Sequence, residues 1–232
     1  SLDYHIFLGA TVADAAARPL HWVYDLKKLK SYIKEKKDIT FLKKNKCPFY
    51  NIKTGNVSGY NDVGQVMYKS LIQAKKQSQV LKIFKKNIVK NFGSGSRYWK
   101  NLNLRKKYKK IKWTKPMTGP WIHQNILETI KNIKLNKTIT GGKKVNESDG
   151  FCAVLPYYLY DQKISNVKKI IKSVANTKIS EQYALAKLEI IKLAANGAKD
   201  PVRFFVRKNK SNKYFKEVIL NIKKIIKDVK KP

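Results

Sequence analysis

Apolar residues return every three to four positions along most of this chain. Over residues 80–92, Ile, Leu and Phe alternate with Lys at helical spacing, which predicts an amphipathic helix. The same period predicts helices over residues 4–17, 62–77, 121–135, 147–160, 164–175, 180–196 and 212–229, with a short Lys-rich stretch over 26–36. Local signals agree. Asp3 is placed to cap the first helix and Pro19 to stop it; Ser180, with Glu181 and Gln182 behind it, opens a helix that Gly197 closes. No segment keeps the two-residue alternation of a strand, so the expected fold class is all-α. No fixed-period repeat is present.

Three breaks interrupt the period. Residues 47–60 and 138–146 read as loops, the second around Gly141 and Gly142. Residues 93–120 hold Gly93, Gly95, Pro116 and Gly119 with a cluster of aromatics and a basic run, and read as a long irregular insertion. The expected organisation is a helical domain over 1–200 followed by a Lys-rich helical extension over 201–232.

Composition changes the picture through charge. In 232 residues, Lys plus Arg is 51 against 15 for Asp plus Glu, a formal net charge of +36. Arg18, Arg97, Arg105, Arg203 and Arg207 are the arginines; the rest is Lys, in a chain also rich in Asn and Ile. An AT-rich coding sequence explains the Lys, Asn and Ile but not the scarcity of acids. Self-repulsion on this scale points to a polyanionic partner: nucleic acid, an anionic membrane or an acidic protein surface. Lys neutralises phosphate as a point charge, whereas Arg reads base edges in bidentate fashion. Nucleic-acid binding should therefore be backbone-directed and salt-sensitive.

The remaining composition excludes several classes. The apolar fraction, 43%, is too high for a disordered chain. No run of about eighteen apolar residues predicts a membrane span. Cys47 and Cys152 form no CxxC, and His5, His21 and His123 show no zinc spacing. No GxGxxG or P-loop pattern occurs.

Two carboxylates and one segment stand out. Asp14 sits in an apolar, Ala-rich helix, where an unpaired buried carboxylate is costly; it either holds a neighbouring helix or loop or binds a ligand. Asp62 opens a helix and is either its N-cap or a metal or substrate ligand. Residues 97–113 interleave Tyr98, Trp99, Tyr108 and Trp113 with Arg97, Arg105, Lys106, Lys107, Lys109, Lys110 and Lys112. That pattern suits base stacking and phosphate pairing, or equally an aromatic-anchored crossover with solvated lysines.

Four blocks carry a family resemblance. Gly9-Ala-Thr-Val-Ala-Asp-Ala-Ala-Ala-Arg-Pro-Leu-His-Trp22 resembles the opening GAxxGDAxGxPxxW helix of the ADP-ribosylglycohydrolase superfamily, most closely its J-crystallin and selenoprotein J branch. Residues 48–65, Gly119-Pro-Trp-Ile-His123 and Glu147-Ser-Asp-Gly with Val154-Leu-Pro156 are similar to later blocks in the same order. The resemblance implies an orthogonal all-α bundle. In catalytic members two magnesium ions, held by a TDD motif and a second Asp-rich motif, serve hydrolysis of an ADP-ribose linkage. Here Asn61-Asp62-Val63-Gly64 stands at the first motif, so Asp14, Asn61 and Asp62 are the remnant of the family site. The second motif is missing before the chain stops at Pro232, which implies a trimmed C-terminus.

The expectation from charge and motif decay is a non-catalytic, RNA-contacting component of a large ribonucleoprotein, in the first place a mitochondrial ribosomal protein. The start at Ser1 without Met fits a cleaved presequence and a matrix location; a cytoplasmic one is the alternative. RNA contacts are expected from the 97–113 segment. More are expected from Arg203, Arg207, Lys213, Lys216, Lys223, Lys224 and Lys227 on the C-terminal stretch, whose Val218, Ile219, Ile222, Ile225 and Ile226 should face the core. rRNA and neighbouring ribonucleoprotein subunits are the expected partners; no cofactor, metal or small-molecule substrate is expected. Two alternatives stand beside this: an active hydrolase with a site rewired around Asp14, Asp62 and Asp149, and a structural binder of an acidic protein lattice such as tubulin.

Overall fold

The computed structural model describes residues 2–34, 42, 44–108 and 116–229. Among them the fold is all-α apart from one two-residue strand pair. The helices are α1 (Leu2–Ala17), α2 (Leu26–Lys34), α3 (Gly59–Gln73), α4 (Val80–Phe92), α5 (Arg97–Tyr108), α6 (Gln124–Lys134), α7 (Asp149–Tyr160), α8 (Ile164–Val174), α9 (Lys178–Ala195), α10 (Pro201–Lys208) and α11 (Lys216–Val229).

Helix α7 is the hub. It packs against α3, α8 and α9, and α3 in turn packs on α4. Its sequence is apolar all round, as a helix surrounded by others requires, and Ala153, Val154, Leu155 and Tyr157 are all buried. Pro156 lies inside this helix and has no N–H for the carbonyl of Cys152 four residues back. Gly64 of α3 meets α7 at that point: a β-carbon on Gly64 would lie 3.0 Å from the Cys152 carbonyl oxygen. The absent side chain lets the two helices close where α7 is notched.

The main core gathers Phe7, Met67, Phe84, Ile88, Ile126, Ile171 and Leu188 from six helices. A smaller cluster unites Ala186 of α9 with Phe205 of α10, Phe215, and Val218 and Ile219 of α11. The segment after residue 200 thus builds its own apolar contact onto the α9 face. On α11, Ile222 is half-buried, but Ile225 is 61% exposed, contrary to the sequence expectation that it faces the core.

The structure corrects other local expectations; among them, Thr177 rather than Ser180 caps α9, which begins at Lys178. Residues 97–108 of the presumed irregular insertion are helix α5, anchored by buried Tyr98 and Leu102. Residues 109–115 lie outside the described residues. A parallel pair joins β1 (Tyr50–Asn51) to β2 (Met117–Thr118), with Met117 N donating to Phe49 O at 3.0 Å and Gly119 N to Asn51 O at 2.9 Å. Helix α3 begins at Gly59 rather than Asp62, because Ser58 is its cap.

Candidate functional site

The region carrying the family resemblance is assembled from α1, the start of α3, the 119–123 segment and the start of α7. Ser58 accepts a hydrogen bond from Tyr60 N at 3.2 Å and so starts α3. Asp14 of α1 holds that cap: Ser58 N donates to its Oδ2 at 2.6 Å and Ser58 Oγ to its Oδ1 at 2.7 Å. Burial raises the Asp14 pKa, against the two Ser58 bonds that favour the anion. Both Asp14 oxygens are committed to backbone architecture, 44 residues away in sequence.

Asn61 is buried one turn into α3. Its Nδ2 donates to Thr11 Oγ1 at 3.3 Å, and its Oδ1 accepts from Gln65 Nε2 at 3.2 Å. Asp62 points the other way, to α5. Its Oδ2 accepts from both the Arg97 guanidinium and the Tyr98 hydroxyl. A cation of the chain itself therefore sits on the one acidic residue left from the resemblance motif. Val63 is wholly buried core.

Beside Asp14 lies a buried pair that sequence reading passed over as a pair. His123 Nδ1 is 2.8 Å from Asp149 Oδ1, and the two side chains are 2% and 0% exposed. Burial works against charge on His123, but Asp149, its hydrogen bond, and nearby Glu147 and Asp14 together raise its pKa. Burial, and then the neighbouring Asp149, raise the Glu147 carboxyl as well; its Oε2 accepts from Asn125 N at 3.1 Å. The Tyr60 ring covers the imidazole with centroids 3.8 Å apart. Gly59 permits this arrangement, since a β-carbon there would lie 2.9 Å from Trp121 O and 3.3 Å from His123 Cε1.

His21 shows the opposite behaviour. Burial, followed by repulsion from His123 and Arg18, lowers its pKa to about 4. Burial keeps Tyr50 protonated, and its hydroxyl and His21 Nδ1 share a hydrogen bond of 2.9 Å. Around this pair Trp22, Phe49 and Trp121 form an aromatic cluster, with Trp22 at φ 62° and 5.2 Å from the rings of both Phe49 and Trp121. Arg18, 2% exposed, fastens the loop of residues 45–56: it donates to Asn56 O at 3.1 Å, Asn45 Oδ1 at 2.9 Å and Lys53 O at 3.4 Å. The sequence signal for Arg18 was its position between an apolar helix and Pro19.

These residues do not fit the magnesium ions that the family resemblance implies. Magnesium takes hard oxygen ligands with free lone pairs facing one point. Asp14 serves Ser58, Asn61 serves Thr11 and Gln65, and Asp62 is neutralised by Arg97. Among the described residues no group of three His, Cys, Asp or Glu side chains is disposed to hold a metal ion.

The residues expected at an RNA surface divide into two groups. On α5, Tyr98 is 2% exposed, with its ring against Phe92 at 4.5 Å; it is a core residue and offers no face for stacking. Trp99 is half-buried under Lys134, whose Nζ is 6.0 Å from the ring centroid. Arg105 is half-buried, with its guanidinium 3.7 Å from the Trp121 ring centroid, and burial lowers its pKa to about 10. Arg97 and Lys106 are exposed, while Lys107 and Tyr108 lie on the last turn of α5 and Lys109, Lys110 and Lys112 fall outside the described residues. In the C-terminal group, Arg203, Arg207, Lys213, Lys216, Lys223, Lys224 and Lys227 are all exposed.

Comparison with known proteins finds two similar sequences in Tripedalia cystophora. Crystallin J1A is 25% identical over 201 residues, 85% of this chain and 59% of that protein. Crystallin J1B is 27% identical over 149 residues, 64% of this chain and 43% of its own length. The chain is thus a distant relative of the J-crystallins, and it spans about half the length of the curated relatives it matches. No family profile and no solved structure matches it.

Proposed function

We propose that this protein is a non-catalytic, RNA-contacting structural component of a large ribonucleoprotein, in the first place a mitochondrial ribosome, built on a degenerate ADP-ribosylglycohydrolase-like fold. The observation that carries this reading is the position of the acids. With the exception of Glu217, every acidic side chain described has an internal task. Asp25 and Asp200 cap α2 and α10 through Lys27 N, Lys28 N and Arg203 N. Asp14 holds Ser58, Asp62 holds Arg97 and Tyr98, and Asp149 holds His123. Glu128 and Glu147 accept from the backbone amides of Lys143 and Asn125. Asp161 gathers Gln77, Tyr157, Asn166 and Lys163 N. Glu181 is bound by Tyr214, Lys168 and Lys172, and Glu189 by Lys208 and Asn209.

Drift in codon usage does not sort carboxylates by structural task. With almost every described acid engaged inside the fold, the surface carries a large excess of unpaired cations. Such a surface repels itself unless a polyanion covers it. Phosphate backbone supplies that charge at high density. The rarity of Arg agrees with phosphate contact rather than base readout.

The test is purification from the native source at low salt. Co-purification with rRNA, and release as salt rises, is the expected result. Co-purification with an acidic protein polymer and no RNA would replace this reading with the lattice alternative. Magnesium-dependent release of ADP-ribose from a modified protein would overturn the non-catalytic part.

A further inference from the structure

A groove of about 410 Å³ runs between α4 and α8 and is closed at one end by the loop carrying Thr138 and Ile139. Lys85, Lys168, Lys169 and Lys172 line it over an apolar floor that includes Leu81 and Ile139. No carboxylate lines it. The neighbouring concavity against α9 and α10 also has three lysines, but Glu189 lies among them. Glu181 touches Lys168 and Lys172 from behind at 3.3 and 3.2 Å, one acid shared by two cations. Lys85 and Lys169 have no acidic partner among the described residues. Lys85 is half-buried with its Nζ 3.3 Å from Thr138 O, and burial lowers its pKa.

We propose that this α4–α8 groove seats consecutive phosphates of a single RNA strand, with the sugars against Leu81 and Ile139. This rests on the RNA-contacting reading above and gives it a place different from the α5 segment, where Arg97 is spent on Asp62 and Arg105 on Trp121. Lys85 is partly desolvated and has no counter-ion among the described residues, and a phosphate arriving at the groove would supply one. Convergence of cations in a concave groove also focuses the field more than the same charges spread on a convex helix. Backbone hydrogen bonds tie loop 138–142 to the end of α8: Gly141 N donates to Lys172 O at 2.9 Å, and Asn176 N to Gly142 O at 2.7 Å.

The experiment compares two charge-matched variants of the full chain against single-stranded RNA across a salt series. One is Lys85→Gln with Lys169→Gln in the groove; the other is Lys27→Gln with Lys30→Gln on the exposed face of α2. Thermal melts confirm that both are folded. A slope of ~0.7 per phosphate in the log–log salt plot corresponds to about fivefold per contact at 0.1 M salt, so the groove variant should lose about 25-fold in affinity. The α2 variant should lose much less. Equal losses in the two variants, with wild-type binding intact, would overturn the groove and leave diffuse RNA contact. Failure of the wild-type chain to bind RNA, with binding to polyglutamate instead, would overturn the underlying reading and the groove with it.

Discussion

Asp14 and Ser58 meet through two hydrogen bonds, of 2.6 and 2.7 Å, so a carboxylate on the first helix fixes where the third begins. The contact spends on architecture the carboxylate of the segment that carries the family resemblance, and it gives the first of four predictions.

Replacing Asp14 by Ala should destabilise the fold by about 1–3 kcal/mol, the cost of leaving the buried Ser58 amide and hydroxyl without their acceptor. Asp14→Asn keeps an acceptor for the amide and should lose less. Urea unfolding measures both; no loss in the Ala variant would contradict the structural role.

Tyr98→Phe removes the phenol that donates to Asp62 and leaves the ring in the core. Expected is a stability loss of about 0.5–1.5 kcal/mol with RNA affinity unchanged. A fall in affinity at unchanged stability would mean that the Tyr98 hydroxyl is available to RNA after all.

The half-buried His21 and the buried His123 make opposite contributions to pH dependence. The His21 pKa is lowered to about 4, so between that value and the ordinary 6.5 the unfolded chain binds a proton that the folded chain refuses. Its share of stability is complete above pH 6.5 and is lost as pH falls toward 4, by about 3 kcal/mol in all. His123, with a raised pKa, contributes fully below 6.5 and loses its share as pH rises through its folded value. Chemical denaturation from pH 7.5 to 4.5 should therefore show a shallower acid limb in His21→Gln than in wild type. Parallel limbs would refute this.

Gly141→Ala should cost about 1–3 kcal/mol, because the added carbon would stand 2.4 Å from Lys172 O and 2.7 Å from Ala175 N, both backbone atoms that cannot turn aside. A melting temperature equal to wild type would show that the 138–142 loop is looser than its hydrogen bonds imply.

Much of the fold was legible without coordinates. Helix α4 ends where the periodicity ended, because Phe84, Ile88 and Phe92 recur on one face and Gly93 follows. The all-α class needed only the absence of any lasting two-residue alternation. The structural role of Asp14 was one of two readings open from its apolar neighbours, for the physical reason that such a helix does not keep a bare carboxylate. What the sequence left undetermined depends on partners far along the chain. Helix α5 was read as irregular because its buried positions, Tyr98 and Leu102, are few among polar and basic residues, and only the core against α4 makes it a helix. The start of α3 at Gly59 required Asp14 to reach Ser58 across 44 residues. The pairing of His123 with Asp149, the sealing of Asp62 by Arg97, and the gathering of lysines from α4 and α8 into one groove follow from how helices pack. Local propensity is written in neighbouring residues. Which charges meet, and which face water, is decided by contacts between residues tens of positions apart.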